Sequence, residues 1–68
     1  MSDSVYKAVD IVGTSSKGIE DAIEGAVARA SKTIKHLNLF EVGEIRGHIE
    51  NDKVAHYQVA LKPGFRLD

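Results

Sequence analysis

Val54-Ala55-His56-Tyr57-Gln58-Val59-Ala60-Leu61-Lys62 alternates in polarity almost without a break, and this period of two decides how the rest of the chain is read. Tyr57, Val59, Leu61, Phe65 and Leu67 share one parity, while His56, Gln58, Lys62 and Arg66 share the other. One face of such a strand belongs to a core and the other is available for binding. Upstream, Glu44-Ile45-Arg46-Gly47-His48-Ile49 forms the other half of a two-stranded ribbon, joined to it by a tight turn at Glu50-Asn51-Asp52-Lys53. This partner strand begins at Leu39. Phe40 and Val42 have one parity and Ile45 and Ile49 the other, so the phase slips around Gly43-Glu44, the mark of a bulge or bend. Pro63 has no N–H to give to a ladder, which predicts an edge, a bulge or a loop contact there.

The first half of the chain supplies a strand and a helix. Val5 to Val12 is a short β-branched run with apolar side chains on both parities, as in a strand covered on both sides, the second cover coming from a neighbouring subunit. Gly13-Thr14-Ser15-Ser16 reads as a turn with serine N-caps, followed by Glu20 and Asp21 in a first helical turn, where carboxylates complement the dipole. Ile19, Ala22, Ile23, Ala26, Val27, Ala30, Ile34 and Leu37 then recur at three- and four-residue steps, which predicts a helix of five turns ending at a left-handed Asn38. Lys32, Lys35 and His36 suit its C-terminal end. Ala22, Gly25, Ala26, Ala28 and Ala30 allow a close approach by the sheet or by another helix. The expectation is an α+β protomer of order β-α-β-β, a three-stranded antiparallel sheet packed on one long helix, with one sheet face left uncovered.

Composition narrows the function classes. A 68-residue chain is a single domain (1–68) near the lower limit for burying an adequate core. It has no cysteine, so neither a disulfide nor a thiolate-bound metal reinforces it, and self-association is the expected remedy. Two Phe, two Tyr and no Trp leave few large side chains to fill an interior. Nine basic against ten acidic residues, with no basic run, argue against nucleic acid as a partner. No segment approaches the ~20 apolar residues that span a bilayer. Met1-Ser2-Asp3-Ser4 lacks the basic and apolar regions of a signal peptide, so no membrane partner and a cytoplasmic location are expected.

Candidate chemistry concentrates on the ribbon. His48 and His56 are nearly equidistant from the turn centre and face each other across the hairpin, but no third ligand has matching spacing, so solvated histidines are expected and no metal site is assigned. Glu20, Asp21 and Glu24 read as a solvated, dipole-compensating face, with Glu41 and Glu44 on the ribbon. Gly13-Thr14-Ser15-Ser16 lacks the lysine and glycine spacing of a phosphate loop. No nucleophile, base and orienting group fall into a readable set, so no enzyme is predicted. Arg46, Gln58 and Arg66 admit two readings. One is a solvated sheet face. The other uses their chemistry: a Gln amide sets a donor beside an acceptor, matching the edge of a heterocycle with alternating C=O and N–H, while Arg binds carbonyls or phosphate or stacks on a ring.

The chain resembles the dodecin family. The likeness rests on Val12-Gly13-Thr14-Ser15, the stretch Ala22 to Ala30 running into Lys32-Thr33, Phe40-Glu41-Val42 and Glu44-Ile45-Arg46-Gly47-His48. Val54-Ala55-His56-Tyr57-Gln58-Val59 and Gly64-Phe65-Arg66-Leu67 complete it, in order and over nearly the whole length. This resemblance implies a hollow, cubic-symmetry homododecamer with flavins, FMN or riboflavin-type (FAD among them), bound between subunits for storage or buffering. It assigns Gln58 to the polar edge of the isoalloxazine, Arg46 to the flavin or its phosphate-bearing chain, and Arg66 to an assisting role. The family's tryptophan before Phe40-Glu41, which stacks on the ring and quenches its excited state, is here Leu39. Losing that stack forfeits roughly 0.5–1.5 kcal/mol, so a weakened, poorly quenching site is expected. Coenzyme A, a divalent cation, or assembly without any small ligand are the alternatives within the same shell, with Arg29, Lys32 and Lys35 as the cations that would attract a phosphate-rich molecule.

Overall fold

A computed structural model describes residues 4–67; the reading of the extreme N-terminus falls mostly outside that range. The element order is β1 (Tyr6–Ala8), β2 (Ile11–Ser15), α1 (Ile19–Ala30), β3 (Leu39–Glu50) and β4 (Lys53–Arg66). The strand expected over Val5–Val12 is thus two short strands, for a reason that lies across the sheet. Both pair antiparallel with the same edge of β4 in one unbroken register, from Tyr6 opposite Arg66 to Ser15 opposite Tyr57. At the gap, the Val9 N–H donates to the Pro63 carbonyl at 3.0 Å, and Pro63 has no N–H to return. The ladder is interrupted while the register runs through, so the sheet has four strands rather than the expected three, with β1 and β2 together taking the place of one edge strand.

β3 occupies the other edge of β4. Its register slips between Val42 and Ile45, where Gly43 and Glu44 together oppose the single residue Ala60, and slips again between His48 and Ile49. The turn holds Asn51 (φ 53°) and Asp52 (φ 64°) in the left-handed region, the geometry whose twist matches two antiparallel strands. An L-residue other than glycine is strained there. Asp52→Gly is therefore expected to stabilise the fold by about 0.5 kcal/mol, a rise of a few degrees in the thermal midpoint at fixed protein concentration. An unchanged or lower midpoint would contradict the turn assignment.

The helix is shorter than its apolar pattern. It ends at Ala30, after which the Lys32 and Thr33 N–H groups donate to Arg29 and Ala30 carbonyls three residues back, at 3.2 Å each. The chain tightens, and His36 rather than Asn38 takes the left-handed position (φ 65°). The Asn38 N–H then donates to the Gly64 carbonyl at 3.0 Å, seating the chain for β3. Ile34 and Leu37 remain half-buried beyond the helix, which is why the apolar spacing outlasts it. At the other end the N-cap is Gly18, not a serine. Ser15 instead organises the approach: its Oγ accepts the Lys17 N–H at 2.9 Å and donates to Asp21 Oδ2 at 2.7 Å.

The core lies where α1 crosses β2 and β4. Ala22, Val59 and Leu61 are buried, with Ile11, Ile23, Ala26 and Val27 packed around them. Contact is close at Gly13: a Cβ there would sit 2.3 Å from the Ala22 carbonyl oxygen and 2.9 Å from Ala26 Cβ. The helix covers only part of the sheet. Every residue of β3 is exposed, including Phe40 at 50%, Ile45 at 51% and Ile49 at 69%. The molecule measures 54 × 21 × 14 Å, with a radius of gyration of 14.2 Å. A compact chain of this length has a radius of about 11 Å. Its accessible surface is 5331 Å², against roughly 4,200 Å² for a globular monomer of this mass.

Candidate functional site

The sheet has a helix side and an open side, and strict alternation sorts the residues between them. Val59 and Leu61 point to the helix, so Gln58, Ala60, Lys62, Gly64 and Arg66 lie on the open side. Their neighbours follow from the register. Gln58 has Thr14 on one flank and Arg46 on the other; Ala60 has Val12 and the bulge. Ile45 pairs with Val59 and so belongs to the helix side, exposed because α1 does not reach it.

Val12, Glu44, Arg46, Gln58 and Ala60 enclose a cleft of about 210 Å³. Its origin is local: Ala60 is a small floor, and the bulge lifts Glu44 and Arg46 beside it. Arg46 Nη2 donates to Glu44 Oε1 at 2.5 Å, with both side chains mostly exposed. Such a solvated pair contributes ~0–1 kcal/mol, so its effect is to orient the guanidinium rather than to hold the fold. Glu44 joins the site beyond the residues expected from sequence, and its two-residue spacing from Arg46 on a strand is the signal that places both on one face.

All four sequence-predicted residues lie on the open side, in two separate groups. Arg46 and Gln58 are direct cross-strand partners. Leu39 pairs with Gly64, its Cδ1 3.2 Å from where a Gly64 Cβ would be, and Arg66 pairs with Tyr6. Gly64 lies six positions and Arg66 eight positions beyond Gln58 along β4, roughly 20 and 26 Å of strand. One chain therefore does not gather the four around a single ring. Ligand pockets typically enclose about 300–1,000 Å³, so the cleft is one wall of a site rather than a whole one. His48 and His56 pair across the hairpin on the same open side, one step beyond Arg46 and Gln58. Among the described residues, no three His, Asp or Glu side chains converge as a metal cluster.

The comparisons with known proteins agree with this architecture. The family model described as Dodecin matches residues 5–68. A dodecin from Thermus thermophilus is 58% identical over 64 residues, covering 94% of this chain and 93% of that protein. The chain belongs to the dodecin family. Among solved dodecins, a Thermus thermophilus variant with tryptophan replaced by phenylalanine has a TM-score of 0.87 at 56% identity, covering 97% of this chain and 98% of that one. Variants of the same dodecin with single arginines replaced by alanine score 0.88 at 55% identity, covering 97% of this chain and 98% or 97% of theirs. A dodecin from Mycobacterium tuberculosis, described as calcium chelating with a novel calcium-binding site, has a TM-score of 0.79 at 32% identity, covering 96% of this chain and 93% of that one. Among the described residues of this dodecin, no helix is long and apolar enough to cross a membrane.

Proposed function

We propose that this chain assembles into a hollow homododecamer and binds a flavin, FMN or riboflavin-type with FAD among them, between its subunits, storing or buffering it in the cytoplasm without transforming it. The observation that carries this reading is the split site. Arg46 and Gln58 form a polar wall at one end of an uncovered sheet face, while Leu39 and Arg66 lie about 20 Å or more away on the same face. A flat ring reaches both groups only when different copies supply them. The exposed Phe40, Ile45 and Ile49 are the apolar surface that such copies would cover. The Thermus thermophilus variants add support. They replace one tryptophan and two arginines whose mutual spacing, seven and then twenty residues, equals that from 39 to 46 and from 46 to 66 here.

In this site the Gln58 amide pairs with the carbonyl and N–H edge of the isoalloxazine. Arg46, aligned by Glu44, binds its oxygens or the phosphate-bearing chain, and Arg66 assists. Leu39 offers aliphatic dispersion where the family has an indole, so binding is weaker and emission survives. Purified protein should turn yellow with FMN and keep the colour through desalting. Gln58→Ala and Arg46→Ala are each expected to weaken FMN about tenfold or more, the loss of one or two directed hydrogen bonds in a sheltered site. Colourless protein after FMN addition, or variants that bind as well as the parent, would contradict the reading.

A second ligand class fits a different part of the chain. Between the free edge of β2 and α1 runs a groove of about 660 Å³, lined by Gly25, Ala26, Ala28, Arg29 and Lys32 among others. Its small residues leave room and its two cations suit a phosphate-rich ligand such as coenzyme A. The calcium-chelating relative makes a divalent cation the other alternative. Calorimetry with coenzyme A and with Ca²⁺ separates both from flavin binding.

A further inference from the structure

The hairpin end carries a feature that flavin binding leaves unused. His48 and His56 are in direct register, with ring centroids 5.2 Å apart and planes only 10° from parallel. Both lie on the open side of the sheet. A register slip just after His48 brings it opposite His56 rather than Ala55, and the β3–β4 ladder on the Arg46 side holds the two backbones as neighbours.

We propose that His48 and His56 form a bidentate site for a divalent transition-metal ion, Zn²⁺ or Cu²⁺, with water completing the coordination. The distances permit it. A ring nitrogen lies about 1.1 Å from its centroid, so tilting both rings inward from 5.2 Å brings two nitrogens to roughly 3.0–3.4 Å. Two ligands each 2.0–2.1 Å from one tetrahedral ion require about that separation. Glu50 adds favourable charge, its Oε2 lying 3.6 Å from His48 Nε2. A small rotation lets this carboxylate accept a hydrogen bond from Nε2–H, which leaves Nδ1 bare for the metal. Lys53, opposite Glu50, is the opposing charge at this end. Imidazole selects Zn²⁺, Cu²⁺ and Ni²⁺ over Ca²⁺ and Mg²⁺, which take oxygen ligands, so this site differs in kind from a calcium site.

The test uses the untagged, chelator-stripped full chain in its native assembly, titrated with Zn²⁺ by calorimetry and with Cu²⁺ by electron paramagnetic resonance. The parent should bind one Zn²⁺ per chain, and Cu²⁺ should show coupling to two imidazole nitrogens. His48→Ala and His56→Ala should each weaken Zn²⁺ by more than about tenfold and leave coupling to one nitrogen. His48→Phe keeps a flat ring in the stack but has no lone pair, and it should fail in the same way. His36→Asn removes the third histidine, keeps a residue that tolerates positive φ, and should bind as the parent does. Parent protein with no Zn²⁺ heat, or paired-histidine variants with unchanged affinity, would overturn the site.

Discussion

Replacing Gly13 by alanine is expected to destabilise the protein by at least about 3 kcal/mol, the upper end of what overpacking a core costs. Gly13 is buried opposite Val59, the most deeply covered residue of β4, where α1 sits directly on β2. The added methyl group would lie 2.3 Å from the Ala22 carbonyl oxygen, a backbone atom that no rotamer change can withdraw. Relief requires lifting the helix off the sheet by about an ångström, which loosens Ala22, Val59 and Leu61 together. A single core in so small a domain rarely supplies more than about 3–5 kcal/mol, so little of the margin survives. Thermal or urea denaturation at fixed protein concentration measures the effect. Ala26→Gly added to Gly13→Ala should recover little, because it removes the 2.9 Å contact and leaves the shorter one. A midpoint within a couple of degrees of the parent would mean that α1 does not rest on β2 as described.

Leu39→Trp is expected to tighten FMN binding up to about tenfold and to darken the emission of the bound flavin. Leu39 is 43% exposed on the open side of the sheet, so a larger side chain has room there. Aromatic stacking contributes roughly 0.5–1.5 kcal/mol beyond area burial, which sets the affinity gain. An indole in contact with the ring also donates an electron to the excited flavin, which leucine does not do. Fluorescence titration reads both quantities in one experiment. If neither affinity nor emission moves, Leu39 does not lie against the ring, and the role assigned to it is wrong.

The sequence revealed faces far better than distances. Alternation from Val54 onward correctly sorted Val59 and Leu61 from Gln58 and Arg66, because a strand's side chains switch sides at every residue whatever lies beyond. The phase slip at Gly43-Glu44 announced the bulge, but the turn at Asn51-Asp52 alone would set His48 opposite Ala55, and it takes the second slip, after His48, to bring it against His56. The break at Val9-Asp10 was not legible, since its cause is Pro63 on a different strand and only the register brings the two together. The early end of α1 was hidden because Ile34 and Leu37 stay half-buried in a non-helical turn and extend the apolar spacing. The same limitation applies to the site. Leu39, Arg46, Gln58 and Arg66 could be assigned to one face, but their division into two groups depends on which residues pair across β4.

Sedimentation of the untagged protein at micromolar concentration, loaded with FMN and followed at the flavin absorbance, reads assembly and ligand binding together. One species near 89 kDa is expected, twelve times the 7.4 kDa chain, with the yellow colour moving with it. A folded 7.4 kDa particle, with the flavin left behind as free ligand, would contradict it.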